Sequence, residues 1–317
     1  MAKLIKGKVT VLGINGHVGQ YVARAFAEAG WDVSGMGRSN KHPMSGVTFV
    51  KGDADNVADM RAAIGDAEVV VNALNLPYDK WFNGAMETQT SKVIEAVGKT
   101  GKTLLYPGNI YNYAAALRQV TPDSPQHPER PRGEIRVRCE TMLRQAAERG
   151  DLQAIILRAG DFFGPDVHMD WFDQAILAQK GKVAAPGAPG IGHSWAYLPD
   201  LARAFEKLAW HRHEFGAFEN FHFAGHFVTS ERLVAAIQKA APAPLKVVSF
   251  PWAMLPVVGL FNPIMREISK MHYLWQNPMQ LMDARLDAIL GADFGTPYDE
   301  AIAETVAPFF VAAHEAA

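Results

Sequence analysis

A short aliphatic run, Lys8 to Leu12, ends in three evenly spaced glycines, Gly13, Gly16 and Gly19. Apolar residues then recur at Val18, Val22, Phe26 and Ala29, the spacing of one helical face. Few arrangements use glycine so heavily where a strand becomes a helix. Glycine permits the tight turn, lets backbone approach a ligand, and brings the helix close to the strand. The N–H groups at the helix start, together with the helix dipole, suit a pyrophosphate. The loop therefore predicts a phosphate cradle formed by Gly13, Asn15, Gly16, His17, Val18 and Gly19.

The alternation continues down the chain. Trp31 to Met36, Val47 to Val50, Glu68 to Leu74, Thr103 to Tyr106 and Ala154 to Arg158 read as strands. Val57 to Ile64, roughly Phe82 to Lys99, and Arg132 to Arg149 read as helices. Such a rhythm, without hairpin signals, implies right-handed crossovers and a doubly wound parallel sheet of the α/β class. After Gly160 the pattern breaks up. Gly181 to Gly192 is rich in glycine and proline and predicts a loop, and Phe250 to Pro263 is too proline-rich for long elements. Helical spacing returns over Gln280 to Ala317. The expected organisation is a dinucleotide-binding core over 1–160, with a later contribution from about 193–228. Residues 161–192 and 229–317 would form a smaller, discontinuous substrate-binding part, with the substrate cleft between the two.

Composition narrows the function classes. The 317 residues carry 31 Lys plus Arg against 33 Asp plus Glu, with no basic block, so nucleic acid is not an expected partner. The longest apolar stretch, Phe250 to Phe261, is too short to span a bilayer, and no membrane partner is expected. A single cysteine, Cys139, fits a reducing compartment and a cytoplasmic location. The eleven His show no H-E-x-x-H pattern, and His211 and His213 are spaced wrongly for one helical face, so no metal is expected. The expected partner is a small molecule, and the chain is expected to be a monomer or homodimer.

The G-x-x-G-x-x-G loop, Arg158 to Pro165 (R-x-x-x-x-x-G-P) and Trp195 to Ala202 together resemble the extended and atypical short-chain dehydrogenase/reductase superfamily, of the NAD(P)-dependent epimerase/dehydratase type. The resemblance implies a Rossmann core and a nicotinamide dinucleotide. At the end of the second strand, Gly37 takes the position where an NAD enzyme carries a carboxylate for the ribose, and Arg38 and Ser39 follow. Arg38 suits a 2′-phosphate, which favours NADP over NAD. Asp53, with Ala54 beside it, matches the position that binds the adenine amino group. Asn72 to Asn75, including Ala73, Leu74 and Asn75, would line the ribose and pyrophosphate, and Asn109 would lie at the carboxyl edge of the sheet.

The family's reductases use a Tyr-x-x-x-Lys pair, yet no Tyr here has Lys four residues later. Alignment on Pro131 and Glu140 puts Arg132 at the Tyr position and Arg136 at the Lys position, on one helical face. Arg136 suits ribose hydroxyls. Arg132 suits a developing oxyanion, but neither arginine is an acid near neutral pH. The bland alternative is that Arg136–Glu140 and Glu140–Arg144 are ordinary pairs on the helix surface. Tyr111 and His193 are the candidate replacement acids; the bland alternatives are a tyrosine packed on the sheet edge and a solvated loop histidine, and His168 and His272 take that same bland reading. The expected function is an NADP-dependent oxidoreductase acting on a small hydrophobic or aromatic carbonyl, imine or enone. Alternatives are a catalytically altered NADP-binding regulator and an epimerase/dehydratase-like enzyme that retains its cofactor.

Overall fold

A computed structural model describes residues 6–165 and 171–311; His168 lies outside them. Val9 and Val11 bury one face of β1 (Lys8–Leu12) and Thr10 and Leu12 the other, which is stable only when helices cover both sides. The chain continues through α1 (His17–Ala29), β2 (Asp32–Gly37), β3 (Val47–Lys51), α2 (Val57–Ile64) and β4 (Val69–Asn72). Next come α3 (Ala85–Val97), β5 (Thr103–Gly108), β6 (Gln119–Val120), α4 (Pro131–Glu148) and β7 (Gln153–Arg158). Short strands β8 (Asp161–Phe163) and β9 (Lys182–Ala185) lead to β10 (Gly192–Tyr197), α5 (Leu198–Trp210) and β11 (Phe218–His222). The remainder is β12 (His226–Thr229), α6 (Ser230–Ala240), β13 (Lys246–Ser249), α7 (Leu255–Val258), α8 (Pro263–Ser269), β14 (Gln280–Leu281), α9 (Ala284–Leu290) and α10 (Tyr298–Val311).

Seven strands form one parallel sheet in the order β11-β7-β5-β4-β1-β2-β3. The doubly wound α/β expectation is met. Helices α1 and α5 pack together on one face, and α2, α3 and α4 form a layer on the other. From β1 the chain winds outward to β3, then returns to β4 and winds the opposite way. The carboxyl ends of β1 and β4, paired as far as Leu12 and Asn72, therefore flank the point where the connections diverge. That divergence opens a crevice where α/β ligands bind.

Outside this sheet, β10 pairs with β8 in parallel and β12 antiparallel. The segment Gly181 to Gly192, expected as a loop throughout, contains β9, which pairs with β13. The expected helix from Phe82 begins at Ala85 instead, because Asn83 and Gly84 have φ of 58° and 77°, outside the helical region. The tail's helical spacing resolves into α9 and α10, preceded by β14 paired with β6. Phe172, Met271, Trp275 and Met279 join a second core in this part of the molecule, whereas Met254 and Met282 are exposed. Among the described residues no helix is long and apolar enough to cross a membrane.

Candidate active site

The glycine loop is built by close contacts. Gly13 has φ of 88°, and a Cβ on Gly19 would lie 2.3 Å from the Gly13 carbonyl oxygen. Any side chain at 19 would force α1 away from β1. Gly16 differs. A Cβ there would meet only the Gly13 oxygen at 3.4 Å and the Ala73 oxygen at 3.9 Å, so its outer side is open. No side chain caps α1, so its first turn faces that opening. An open glycine over an uncapped helix start fits a dinucleotide pyrophosphate.

Arg38 and Ser39 are exposed just beyond β2, and among the described residues Arg38 makes no ion pair. Asn15 ties the two segments together: its Nδ2 donates to the Ser39 carbonyl at 2.7 Å, and its Oδ1 accepts from Lys41 N. A Cβ on Gly37 would come within 2.8 Å of that Nδ2, so Gly37 is also a packing position. Asp53 sits in an exposed turn, where its Oδ1 accepts from Asp55 N at 3.0 Å, with Ala54 beside it.

Next to the glycine loop a cleft of about 140 Å³ opens to solvent. Val18, Ala73, Leu74, Asn75, Asn109, Tyr111 and Arg136 line it, so these sequence candidates come together. Asn72, the first residue of the expected Asn72 to Asn75 stretch, lines it too, as do Tyr78, Tyr106 and Asp161, which are not among the sequence candidates. The Tyr78 and Tyr111 hydroxyls are 2.8 Å apart. Burial pushes both phenols up, Tyr111 well above its ordinary value, with the neighbouring Tyr78 adding to the effect. Tyr111 is therefore a neutral hydrogen-bond donor throughout the neutral range.

Two buried devices hold Tyr111 in place. Gly133, in the first turn of α4, lies so close that a Cβ would sit 2.0 Å from the Tyr111 carbonyl oxygen. Arg158 at the end of β7 is fully buried, forks onto Glu140 at 2.7 and 3.1 Å, and donates to the Asn109 carbonyl. Glu140 thus belongs to the core and not to a surface pair with Arg136. Charge-assisted bidentate bonds fix geometry well, and here they fix the segment that carries Asn109 and Tyr111.

Arg132 and Arg136 of α4 part ways. Arg136 reaches the cleft wall, donating to the Tyr106 hydroxyl and, at 2.9 Å, to the Pro107 carbonyl, while its Nε has no partner. Burial pushes the Tyr106 phenol up to about 12, so it accepts from Arg136 as a neutral hydroxyl. Arg132 is not on the cleft wall. It lies buried over the rings of Tyr78, Trp81 and Phe82, donating to the Tyr78 carbonyl and to Glu267. His193 is also buried behind the wall, where Nε2 lies 2.7 Å from Asp161 Oδ2 and the ring stacks on Trp275 at 3.8 Å. His193 therefore meets the cleft only through Asp161. His272 stacks on Trp252 at 4.3 Å, and burial lowers its pKa.

The model of the NAD dependent epimerase/dehydratase family matches residues 9–221, a span that includes the glycine loop, Tyr111, α4 and Arg158. The chain belongs to that family. Its fold is similar to that of MoeE5 in complex with UDP-glucose and NAD, at TM-score 0.75 and 16% identity, covering 98% of this chain and 100% of that one. It is also similar to the Bordetella bronchiseptica enzyme WbmH in complex with NAD+, at TM-score 0.69 and 22% identity over 96% and 98% of the two chains. UDP-glucose 4-epimerase from Brucella ovis, in complex with NAD, gives TM-score 0.74 and 17% identity over 96% and 98%. No curated protein matches the sequence. The extended short-chain dehydrogenase/reductase resemblance read from the sequence agrees with this membership.

Proposed function

We propose that this member of the epimerase/dehydratase family is a nicotinamide-dinucleotide-dependent oxidoreductase with Tyr111 as its proton donor. The observation that carries the reading is the Tyr111 hydroxyl on the cleft wall, backed at 2.8 Å by the Tyr78 hydroxyl. The bound dinucleotide would supply a hydride to a carbonyl, imine or enone carbon. Tyr111 would give its proton to the substrate heteroatom, and Tyr78 would then donate a hydrogen bond to the phenolate left behind. A phenol with a raised pKa releases its proton only to a strongly basic atom such as a new alkoxide, which favours the reductive direction. Solvent entering the open cleft would return the proton to the Tyr111 phenolate. Arg136, which lines the cleft, would steady ribose hydroxyls from the position of the family's lysine. Exposed Arg38 supports a preference for NADP, and the aromatic wall formed by Tyr78, Trp81, Tyr106 and Phe162 supports a small apolar or aromatic substrate.

The family match favours a second reading, an epimerase or dehydratase in which the hydride returns to the product and the same tyrosine pair takes and returns a proton. Net cofactor turnover separates the two. Purified protein mixed with NADPH and a panel of aldehydes, ketones and enones is expected to consume NADPH with at least one of them. In Tyr111→Phe that rate should fall about 10²–10⁴-fold with NADPH affinity unchanged. Binding without consumption over the whole panel would reject the oxidoreductase. An unaltered rate in Tyr111→Phe would remove Tyr111 from the chemistry.

A further inference from the structure

Helices α7 and α8 form a tight hairpin, because Gly259 lies so close to α8 that a Cβ would sit 2.7 Å from the Arg266 Cα. The base of the hairpin is firmly held. Leu255 is buried, Asn262 caps α8 through Ile264 N and Met265 N, and Glu267 is buried against Arg132. The tip is the reverse. Phe261 is 89% and Leu260 75% exposed, and Met254, Val257, Val258 and Ile264 are exposed beside them. Large apolar side chains clustered in this way on a rigid support mark an interaction surface. None of the six lines the cleft, so the patch is not a wall of the site described above.

The charges around the patch identify what covers it. Phe250 to Met265 carries no charged side chain, and the first charges on either side are Lys246 and Arg266. From Lys246 to Met282 the single acid is Glu267, whose buried carboxylate lies 2.6 Å from Lys270, 3.1 Å from Arg132 and 3.8 Å from Arg266. Three cations thus surround one carboxylate, a local excess of positive charge, and two of them, Arg266 and Lys270, are exposed. In a protein of formal net charge −2, this is an apolar tip with a local cationic rim. A second copy fits it poorly, because a two-fold interface would set Arg266 and Lys270 near their own equivalents. An anionic lipid surface fits both features, since apolar side chains enter the acyl boundary while cations stay at the headgroups.

We propose that the α7–α8 hairpin docks this protein peripherally on anionic bilayers, with Phe261 and Leu260 inserted and Arg266 and Lys270 at the headgroup level. Such docking differs from spanning, which the length and prolines of Phe250 to Phe261 rule out. The full-length protein should co-sediment with vesicles of phosphatidylcholine containing about one-third phosphatidylglycerol, more weakly with phosphatidylcholine alone, and less at high salt. Phe261→Glu should weaken binding at least tenfold while leaving the circular dichroism spectrum and dinucleotide affinity unchanged. Arg266→Gln should weaken it about fivefold, and only on the anionic vesicles. Tyr111→Phe should bind as the parent does, so that docking and turnover are read separately. Three results would overturn the proposal: no sedimentation with anionic vesicles, sedimentation indifferent to Phe261→Glu, or a dimer that Phe261→Glu splits in the absence of lipid binding.

Discussion

Arg38 leaves the end of β2 with its guanidinium in solvent and no acidic partner among the described residues. A charge held in readiness gains most from a ligand that brings the opposite charge, and hydrogen bonds to charged groups contribute about 1.5–3 kcal/mol each. Arg38→Ala is therefore expected to weaken NADPH binding about 10- to 100-fold and NADH binding less than about twofold, read by quenching of protein fluorescence with each cofactor. Equal losses for both would place Arg38 outside the 2′-phosphate site. Residues of this kind were legible because each stands at a fixed offset from a strand end. The glycine loop, Asn75, Asn109, Tyr111 and Arg136 could be read by the same counting. Tyr78 and Asp161 could not, since they reach Tyr111 and His193 across 33 and 32 positions of chain, and no periodicity joins them. Arg132 and Arg136 share a helical turn yet meet different surroundings, a difference set by the packing of α8 and invisible in spacing.

At the level of elements, the strands buried on both faces were legible as continuous apolar runs, and their helices as amphipathic ones. Elements held by long-range pairing were not. β6 and β14 are two residues each and pair across most of the chain, and β9 hides among glycines and prolines. The end of β11 shows what such pairing requires. His222 sits buried with Nδ1 3.1 Å from the Val120 carbonyl and Nε2 2.9 Å from the Tyr113 hydroxyl, while its backbone N donates to Asp283. An N–H pointed at a carbonyl and a lone pair pointed at a hydroxyl describe a neutral ring. Burial, and then the nearby Arg158, hold its pKa down at about 3. An unfolded histidine titrates near the ordinary value of about 6.5, so between those limits the unfolded chain binds the extra proton. Stability is then complete above about pH 6.5 and falls as the pH drops toward 3, by up to about 1.4 kcal/mol per pH unit from this group. Thermal melts from pH 7 to pH 4 should show that acid slope. In His222→Gln, which keeps a donor and an acceptor, the protein should start less stable but lose less on acidification. An identical slope in the variant would assign the acid sensitivity to another group.

Across the whole molecule, the two halves meet through a charge that neither half can bury alone. Arg132 belongs to α4 in the sheet layer and Glu267 to the hairpin, and both side chains are almost completely enclosed at 3.1 Å. Burial alone would push Glu267 up, but Lys270 and Arg132 outweigh it and hold the carboxylate below its ordinary value. Arg132 also donates to the carbonyl of Tyr78, so the same guanidinium links the hairpin to the residue that backs Tyr111. Removing one partner of a buried pair leaves the other charge stranded, at a cost of about 3–5 kcal/mol, whereas replacing both costs much less. Glu267→Gln and Arg132→Met should each lower the unfolding free energy, read from urea titrations, by about 3–5 kcal/mol. The double variant should fall short of the sum by at least about 1 kcal/mol, the signature of direct coupling. Additive losses would mean that the aromatic cage alone seats Arg132. With coupling present, Glu267→Gln should also slow turnover, because a loosened α8 no longer holds Arg132 against the Tyr78 carbonyl. That kinetic loss should appear in kcat with dinucleotide affinity intact, since the hairpin is remote from the glycine loop.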